Sequence, residues 1–496
     1  MKKYFYLFCC ILFGFFFFTY KITSIPPGLE TDEASIAYNS ALISTNLRDQ
    51  NNRFLPIFIL SSDKTDWKQP VLIYFTAFLF RIFGKSLFIY KLSTIIISLL
   101  SAIVLYFIVK ILFKSKKYAI VGFLVYITTP IIFITTRIGN ESILPSLIST
   151  LWLFSLILYK KNKKYFNLIL NAIIIGIGFY SFKGMRLITP VWSIISFFYI
   201  YRINWIKNKS IKNNIFNSKN TKQIIIFCFV LLPFYLITPL LENKYAGAVF
   251  DHQNISISSI TNFFYYWLSN ISFSFWFTTP DIGRVYTISE FGAFPLLFLP
   301  LFIIGIISSI NKKTYLRFIL ICYLFTPVFF GIAHSINYTH RLIAVIPFII
   351  IIILYGFKNI LDFLKNKKNR FPIYLLFFIL LIINTFNFYK FYFIDYPKLN
   401  TTKEAFGKYT FSSFKILSKL ANELNFITYV EENIYNSEGD ENRFYNLIYF
   451  QNKIKVWDSK ELIPNKSILL TYNEKIDGFE TYDANLPNNM HILIKK

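Results

Sequence analysis

Charge is scarce in this chain, and acid is the scarcer sign. Only 16% of the 496 residues are charged, and 26 Asp and Glu face 52 Lys and Arg, for a formal net charge of +26. With 55% hydrophobic residues and 59 Phe, so little charge cannot clothe a soluble protein of this size. An all-α polytopic integral membrane protein is the class that remains. Cysteine is as sparse: Cys9, Cys10, Cys228 and Cys322 all fall in apolar stretches, which excludes a disulfide framework and gives no metal-ligand spacing. The four His, at 252, 334, 340 and 491, are scattered, and no metal site is expected from them. No internal repeat is evident, and the only biased linker is the Asn/Lys-rich stretch 207–222. The positive excess sits in short loops between apolar runs, where it sets orientation, so nucleic acid is excluded as a partner.

Apolar runs long enough to cross a bilayer, roughly 17 to 25 residues each, are predicted at 4–20, 87–113, 118–136, 143–159, 165–182, 187–201, 223–240, 292–310, 315–333, 341–357 and 372–389, about eleven in all. The first lacks a small-residue cleavage site before Ile25-Pro-Pro and reads as a retained helix. Lys and Arg collect in alternate loops, at 2–3, 114–117, 160–164, 202–222, 312–313 and 358–370. The positive-inside rule puts these loops and the N-terminus in the cytoplasm. Outside then lie loop 21–86, the turns 137–141 and 183–186, loop 241–291, the turn 334–341 and the C-terminal tail. Loop 241–291, with Asp251, His252, Asp281, Arg284 and Glu290, is expected to cover the active site and to reach the acceptor.

Two acids stand out against this background. Asp32 and Glu33 follow the first run in Gly28-Leu-Glu-Thr-Asp-Glu-Ala-Ser. Carboxylates are costly beside hydrocarbon, so the pair is a candidate base for an acceptor hydroxyl. It also fits a helix start, with Thr31 as N-cap and acids in the first turn. The two readings are compatible. Downstream, Asp66-Trp-Lys-Gln-Pro leads into apolar 71–83, closed by Arg81, Gly84 and Lys85, which predicts an interfacial helix.

This order of motifs carries a resemblance. An outward Asp-Glu, then Lys68-x-Pro70-x-x-x-Tyr74 running into Phe-Gly-Lys-Ser-Leu-Phe-Ile-Tyr-Lys-Leu-Ser, resembles the first loop of the protein O-mannosyltransferase and aminoarabinose transferase superfamily. These are GT-C-type membrane glycosyltransferases that use polyprenyl-phosphate sugars. Thr136-Arg137-Ile-Gly-Asn140-Glu141 is similar to the family's second acidic motif, and Tyr180-Ser-Phe-Lys183-Gly-Met-Arg186 to its third outward turn. Asn270 through Gly292, and Tyr338-Thr-His340-Arg341-Leu-Ile-Ala-Val-Ile-Pro347, are similar to later segments, so the resemblance spans 1–395. Lys91 stands where many relatives have Arg, Gln69 differs from the residue usual before the proline, and Glu141 replaces a frequent Asp.

The resemblance implies transfer of a sugar from a polyprenyl-phosphate donor to an acceptor hydroxyl outside the membrane, by a single inverting displacement. Such chemistry needs a base, cations for the departing phosphate and an apolar groove for the lipid. Asp32 is the expected base, and Glu33 is expected to orient the acceptor or nearby cations. Lys68, Tyr74, Arg137, Glu141, Lys183, Arg186, His340 and Arg341 are the expected substrate and phosphate ligands. Alternatives stand beside several of them. Arg137 and Glu141, four apart, pair with each other if their turn is helical. Lys183 and Arg186 also suit snorkelling to headgroups, and His340 an interfacial position. No cofactor is assigned, although an oxygen site of Asp32, Glu33 and Glu141 for a divalent cation stays open. The acceptor is a lipid, a glycan or a protein. A lipid-linked-sugar flippase, or a ligase moving a whole glycan, would share the many spans.

From residue 396 the composition turns mixed. A soluble extracytoplasmic α/β domain is expected over 396–496, with a helix at 411–424 and strands at 443–450, 454–457, 467–472 and 491–495. Its expected role is docking or covering, without catalysis.

Overall fold

The computed structural model describes every residue except 1–4, 62–63, 65, 206–217, 251–258, 279–290, 312–314, 335–337, 365–369, 438, 460, 483–485 and 487–488. The acids and the histidine singled out in loop 241–291 lie outside the described residues.

Among the described residues, five helices are long and apolar enough to cross a membrane: Leu87–Phe113, Glu141–Asn162, Thr221–Lys244, Thr339–Phe363 and Phe371–Lys398. Two bent helix pairs raise the number to seven if each is one span. Of four shorter apolar helices, Phe5–Thr19, Tyr165–Phe179 and Met185–Tyr201 fall on runs expected to cross, and Pro70–Phe83 on the expected interfacial helix. The run 118–136 is two helices, Lys116–Thr128 and Pro130–Arg137, bent by 59°. Pro130 cannot donate the hydrogen bond that would carry the helix through, so the break falls where the sequence puts the imino acid.

The chain divides into two compact units. The first comprises Met1–Tyr20, Thr94–Thr136 and Glu141–Tyr392. Its centre is Ile346–Phe363, buried from Ile346 to Phe357 without a break, as a helix apolar all round must be when other helices surround it. Phe298–Asn311, Tyr315–Phe325, Lys116–Thr128 and Leu144–Asn162 pack against it. Several polar side chains between the helices pair with one another, as hydrocarbon favours. Trp152 and Trp192 stack at 4.6 Å and donate their indole N–H groups to Ser196 and Thr326, at 2.9 and 3.0 Å. Tyr159 donates to Gln223 at 2.7 Å. Outer helices turn bare apolar faces outward: Phe229 is 77% exposed and Phe386 67%, as lipid-facing residues are.

The second unit comprises Lys21–Ser93, Arg137–Asn140 and Phe393–Lys496, so the first loop groups with the C-terminal segment. Helix Thr31–Asn46 carries small buried residues, Ala34, Ser35, Ala37, Ser40 and Ala41, that admit two neighbours closely. These are Pro70–Phe83 and Gly439–Phe450. Pro70–Phe83 opens with proline in its first turn, as the sequence suggests, and leaves Phe78, Ile82 and Phe83 exposed. A short hairpin of β1 (Ile59–Leu60) and β2 (Trp67–Lys68) precedes it, with Ile59 opposite Lys68.

The C-terminal segment holds a five-stranded sheet in the order β4-β3-β5-β7-β6, from β3 (Ile427–Glu431), β4 (Lys455–Trp457), β5 (Ser467–Thr471), β6 (Glu480–Tyr482) and β7 (His491–Lys495). β3 runs parallel to β4 and β5, whereas β7 runs antiparallel to β5 and β6. Three expected strands appear, and β3 and β6 were not foreseen. The strand expected at 443–450 is instead part of helix Gly439–Phe450. Its aromatic residues favour strands locally, yet Asp440 and Glu441 suit a helix's first turn, and Phe444, Leu447 and Phe450 share one buried face. Packing on helix Thr31–Asn46 decides the matter.

Candidate active site

The acidic helix begins one residue earlier than expected. Glu30, not Thr31, is the N-cap, and a reciprocal capping box joins it to Glu33: Asp32 N–H donates to the Glu30 carboxyl and Glu30 N–H to Glu33 Oε2, both at 3.0 Å. The spacing Glu30-Thr-Asp-Glu33 was the available signal. It was masked by the stronger statistical preference for Thr at the cap.

Neighbouring in sequence, Asp32 and Glu33 face opposite surroundings. Glu33 is fully buried, ion-paired with the buried Lys91 and accepting from Gly139 N–H through Oε1. Tyr90 donates to the Glu33 carbonyl at 2.9 Å and also to the Gly139 carbonyl. Both Glu33 oxygens are therefore taken by donors, and a cation site built from Asp32, Glu33 and Glu141 loses one ligand. Among the described residues, no three His, Cys, Asp or Glu side chains are grouped to hold a metal ion.

Asp32 is 50% exposed on its side chain. One of its oxygens is ion-paired with Lys68, whose Nζ also meets Asp66 Oδ2 at 2.7 Å. Burial works against the Lys68 ammonium, but the Asp32 and Asp66 carboxylates outweigh it and raise its pKa above the ordinary lysine value. The site thus holds a fixed positive charge beneath an accessible carboxylate. Tyr74 donates its hydroxyl to the Pro56 carbonyl at 2.8 Å, bracing the loop. Arg137 is fully buried, donates to the Ile25 carbonyl at 2.7 Å and lies 5.0 Å from the Phe393 ring centre. Its helix ends at Arg137 and a 3-10 turn starts at Glu141, so no continuous helix sets these two at i and i+4.

Glu30 carries a further consequence. Burial, then the Asp32 and Glu33 charges, push its pKa up from 4.5 to about 8. Between those values the folded chain holds a proton that the unfolded chain releases, so the stability Glu30 contributes is lost as pH rises through about 8. Glu30→Gln, which mimics the protonated carboxyl, is expected to melt near the wild type at pH 5 and increasingly above it towards pH 8.5. Melting temperatures of both proteins in detergent across that range check this. A gap that stays constant with pH would contradict it.

The remaining expected ligands lie in the first unit. Lys183 occupies the turn before helix Met185–Trp205, and Arg186 in its first turn donates to the Val249 carbonyl at 2.9 Å. Tyr338 lies against both His340, with ring centres 5.6 Å apart, and Arg341, whose guanidinium carbon stands 4.5 Å from its ring centre. A Cβ placed on Gly184 would stand 3.5 Å from the Arg341 carbonyl, so these two basic turns adjoin. Glu141–Ile143 packs against Thr339–Val345, which brings Glu141 to the same end of the unit. Sequence reasoning did not foresee Glu30, Tyr90 and Gly139 as partners of the site, and placed Lys91 and Asp66 only as motif neighbours.

The geometry is that of an accessible carboxylate on a capped helix with a buried cation beneath it. Residues 67–212 match the family model of dolichyl-phosphate-mannose-protein mannosyltransferases. Among solved structures, ArnT from Cupriavidus metallidurans bound to undecaprenyl phosphate aligns at a TM-score of 0.54 and 11% identity, over 99% of this chain and 98% of that one. The same protein in its apo state gives 0.52 and 11%, over 90% and 75%. The archaeal oligosaccharyltransferase AglB from Archaeoglobus fulgidus, in complex with an inhibitory peptide and a dolichol-phosphate, gives 0.50 and 10%, over 90% and 64%. No curated protein sequence matches significantly. The resemblance read from the motifs is borne out: the chain has the fold of these solved structures, and residues 67–212 match the mannosyltransferase family model.

Proposed function

We propose that this protein transfers a sugar from a polyprenyl-phosphate donor to an acceptor hydroxyl on the outer face of the membrane, with Asp32 as general base. The observation that carries the reading is the division of labour between adjacent acids. Glu33 is buried and neutralised by Lys91, while Asp32 is half exposed and oriented by Lys68. Two carboxylates in unlike surroundings take unlike roles. Asp32 removes the acceptor proton as the acceptor oxygen attacks the anomeric carbon from the face opposite the phosphate. The bond from the anomeric carbon to the phosphate oxygen breaks with inversion, and polyprenyl phosphate leaves with the electron pair.

Lys68 then acts on Asp32 and not on the phosphate. Lys183, Arg186, His340 and Arg341 are the ligands assigned to the phosphate, since two adjoining basic turns offer both point charges and a guanidinium fork. The basic loops lie in the cytoplasm, and Asp32 faces outward with the C-terminal segment.

The test supplies membranes containing the chain with a panel of radiolabelled polyprenyl-phosphate hexoses and pentoses, plus acceptors from the host envelope. Label should pass to an acceptor, with free polyprenyl phosphate released in equal amount. Donor crossing the bilayer intact without transfer would point to a flippase, and transfer only of a preassembled lipid-linked glycan to a ligase.

A further inference from the structure

Glu441 lies 412 residues beyond Leu29, yet the second unit brings them into contact. It sits in the first turn of helix Gly439–Phe450 and is 2% exposed. Its Oε1 accepts from Leu29 N–H at 3.3 Å and from the Tyr445 hydroxyl at 2.6 Å. Burial, then the Glu441 charge, raise the Tyr445 pKa well above its ordinary value, so the phenol stays a donor. The chain around the carboxylate is stripped of side chains. A Cβ on Gly407 (φ +50°) would strike the Glu441 carboxylate, and one on Gly28 (φ +154°) the Phe406 carbonyl.

The same helix grips a second point. The Phe444 ring lies 6.1 Å from that of Tyr90, whose hydroxyl donates to the Glu33 carbonyl. Helix Gly439–Phe450 therefore holds the backbone just before the Glu30 cap and, through Tyr90, the turn just after it. A buried carboxylate costs free energy that apolar packing alone would avoid, so its placement against a backbone N–H fixes a particular geometry.

We propose that Glu441 is a positioning residue for sugar transfer: it holds the Gly28–Leu29 turn and thereby sets where the Asp32 carboxylate stands. The proposal rests on the reading of Asp32 as the base. Asp32 reaches its place only through a capped helix start, and a base displaced by about 1 Å costs up to roughly 100-fold in rate.

The test compares Glu441→Ala and Glu441→Gln in the full-length protein, because Gln keeps an acceptor oxygen for Leu29. Two readouts are taken: steady-state kinetics with the labelled polyprenyl-phosphate sugar panel, and hydrogen exchange of peptides covering 27–36 and β5. Glu441→Ala should lower kcat by about 10-fold or more with KM for the donor within about two-fold, since orientation and not binding is lost. Exchange should quicken at 27–36 while β5 stays protected, and Glu441→Gln should recover most of both. Unchanged exchange at 27–36, equal loosening of β5, or local loosening with wild-type kcat would each overturn the proposal. If Asp32→Asn transfers sugar at the wild-type rate, the base assignment fails on its own account, and the exchange data still show whether Glu441 holds the turn.

Discussion

Asp32→Asn is expected to lower kcat for sugar transfer by roughly 10²- to 10⁴-fold, the range of a lost general base. The change should leave the fold intact. Asn is isosteric with Asp, its side chain sits on a half-exposed position, and the helix cap is built from Glu30 and Glu33. Lys68 would keep Asp66 as a partner at 2.7 Å, so no buried ammonium is stranded. KM for the donor should change little, because the variant loses a proton acceptor and not a phosphate ligand. Asp66→Asn is the matched control: it removes the other carboxylate on Lys68 but no base, and should cost far less in rate. Transfer by Asp32→Asn within a few-fold of wild type, at equal expression, would remove Asp32 from the mechanism.

Lys91→Met should unfold the acidic loop. It leaves the Glu33 carboxylate buried with its charge uncompensated, and removing one member of a buried ion pair costs about 3–5 kcal/mol. Gly139 N–H still donates to the carboxylate but carries no full charge. The variant should show a markedly lower melting temperature in detergent than the wild type, and early proteolysis within 21–60. Adding Glu33→Gln to Lys91→Met removes the stranded charge and should restore a large part of the lost stability, although the capping box is weakened. A double variant no more stable than Lys91→Met would show that the pair is not the source of the effect. Because Lys91 and Glu33 are both within 1% of full burial, salt should scarcely change the result.

Much of the fold was legible because bilayer physics writes it into composition. Apolar length announces helices, whereas the break at Pro130 inside the run 118–136 was not read from it. The motif order announced the resemblance that the match over 67–212 bears out. What stayed hidden depended on contacts between distant segments. Residues 443–450 read as a strand from local propensity, and became helical because Phe444, Leu447 and Phe450 bury one face while the helix packs on another more than 390 residues earlier in the chain. Glu33 and Asp32 read alike, and no local pattern distinguishes a carboxylate that will be paired with Lys91 from one that will meet solvent.

By itself the sequence determined that this is a multi-pass helical membrane protein with an acid pair after its first apolar run. Those properties follow from residue type and spacing, which act over a few turns. Only the tertiary structure decided which acid is half exposed, which cation holds it, and that the C-terminal segment reaches back to grip the acidic helix. Burial and pairing are set by what folds against a residue, and Lys68, Lys91, Gly139 and Glu441 come to that helix from four separate stretches of chain.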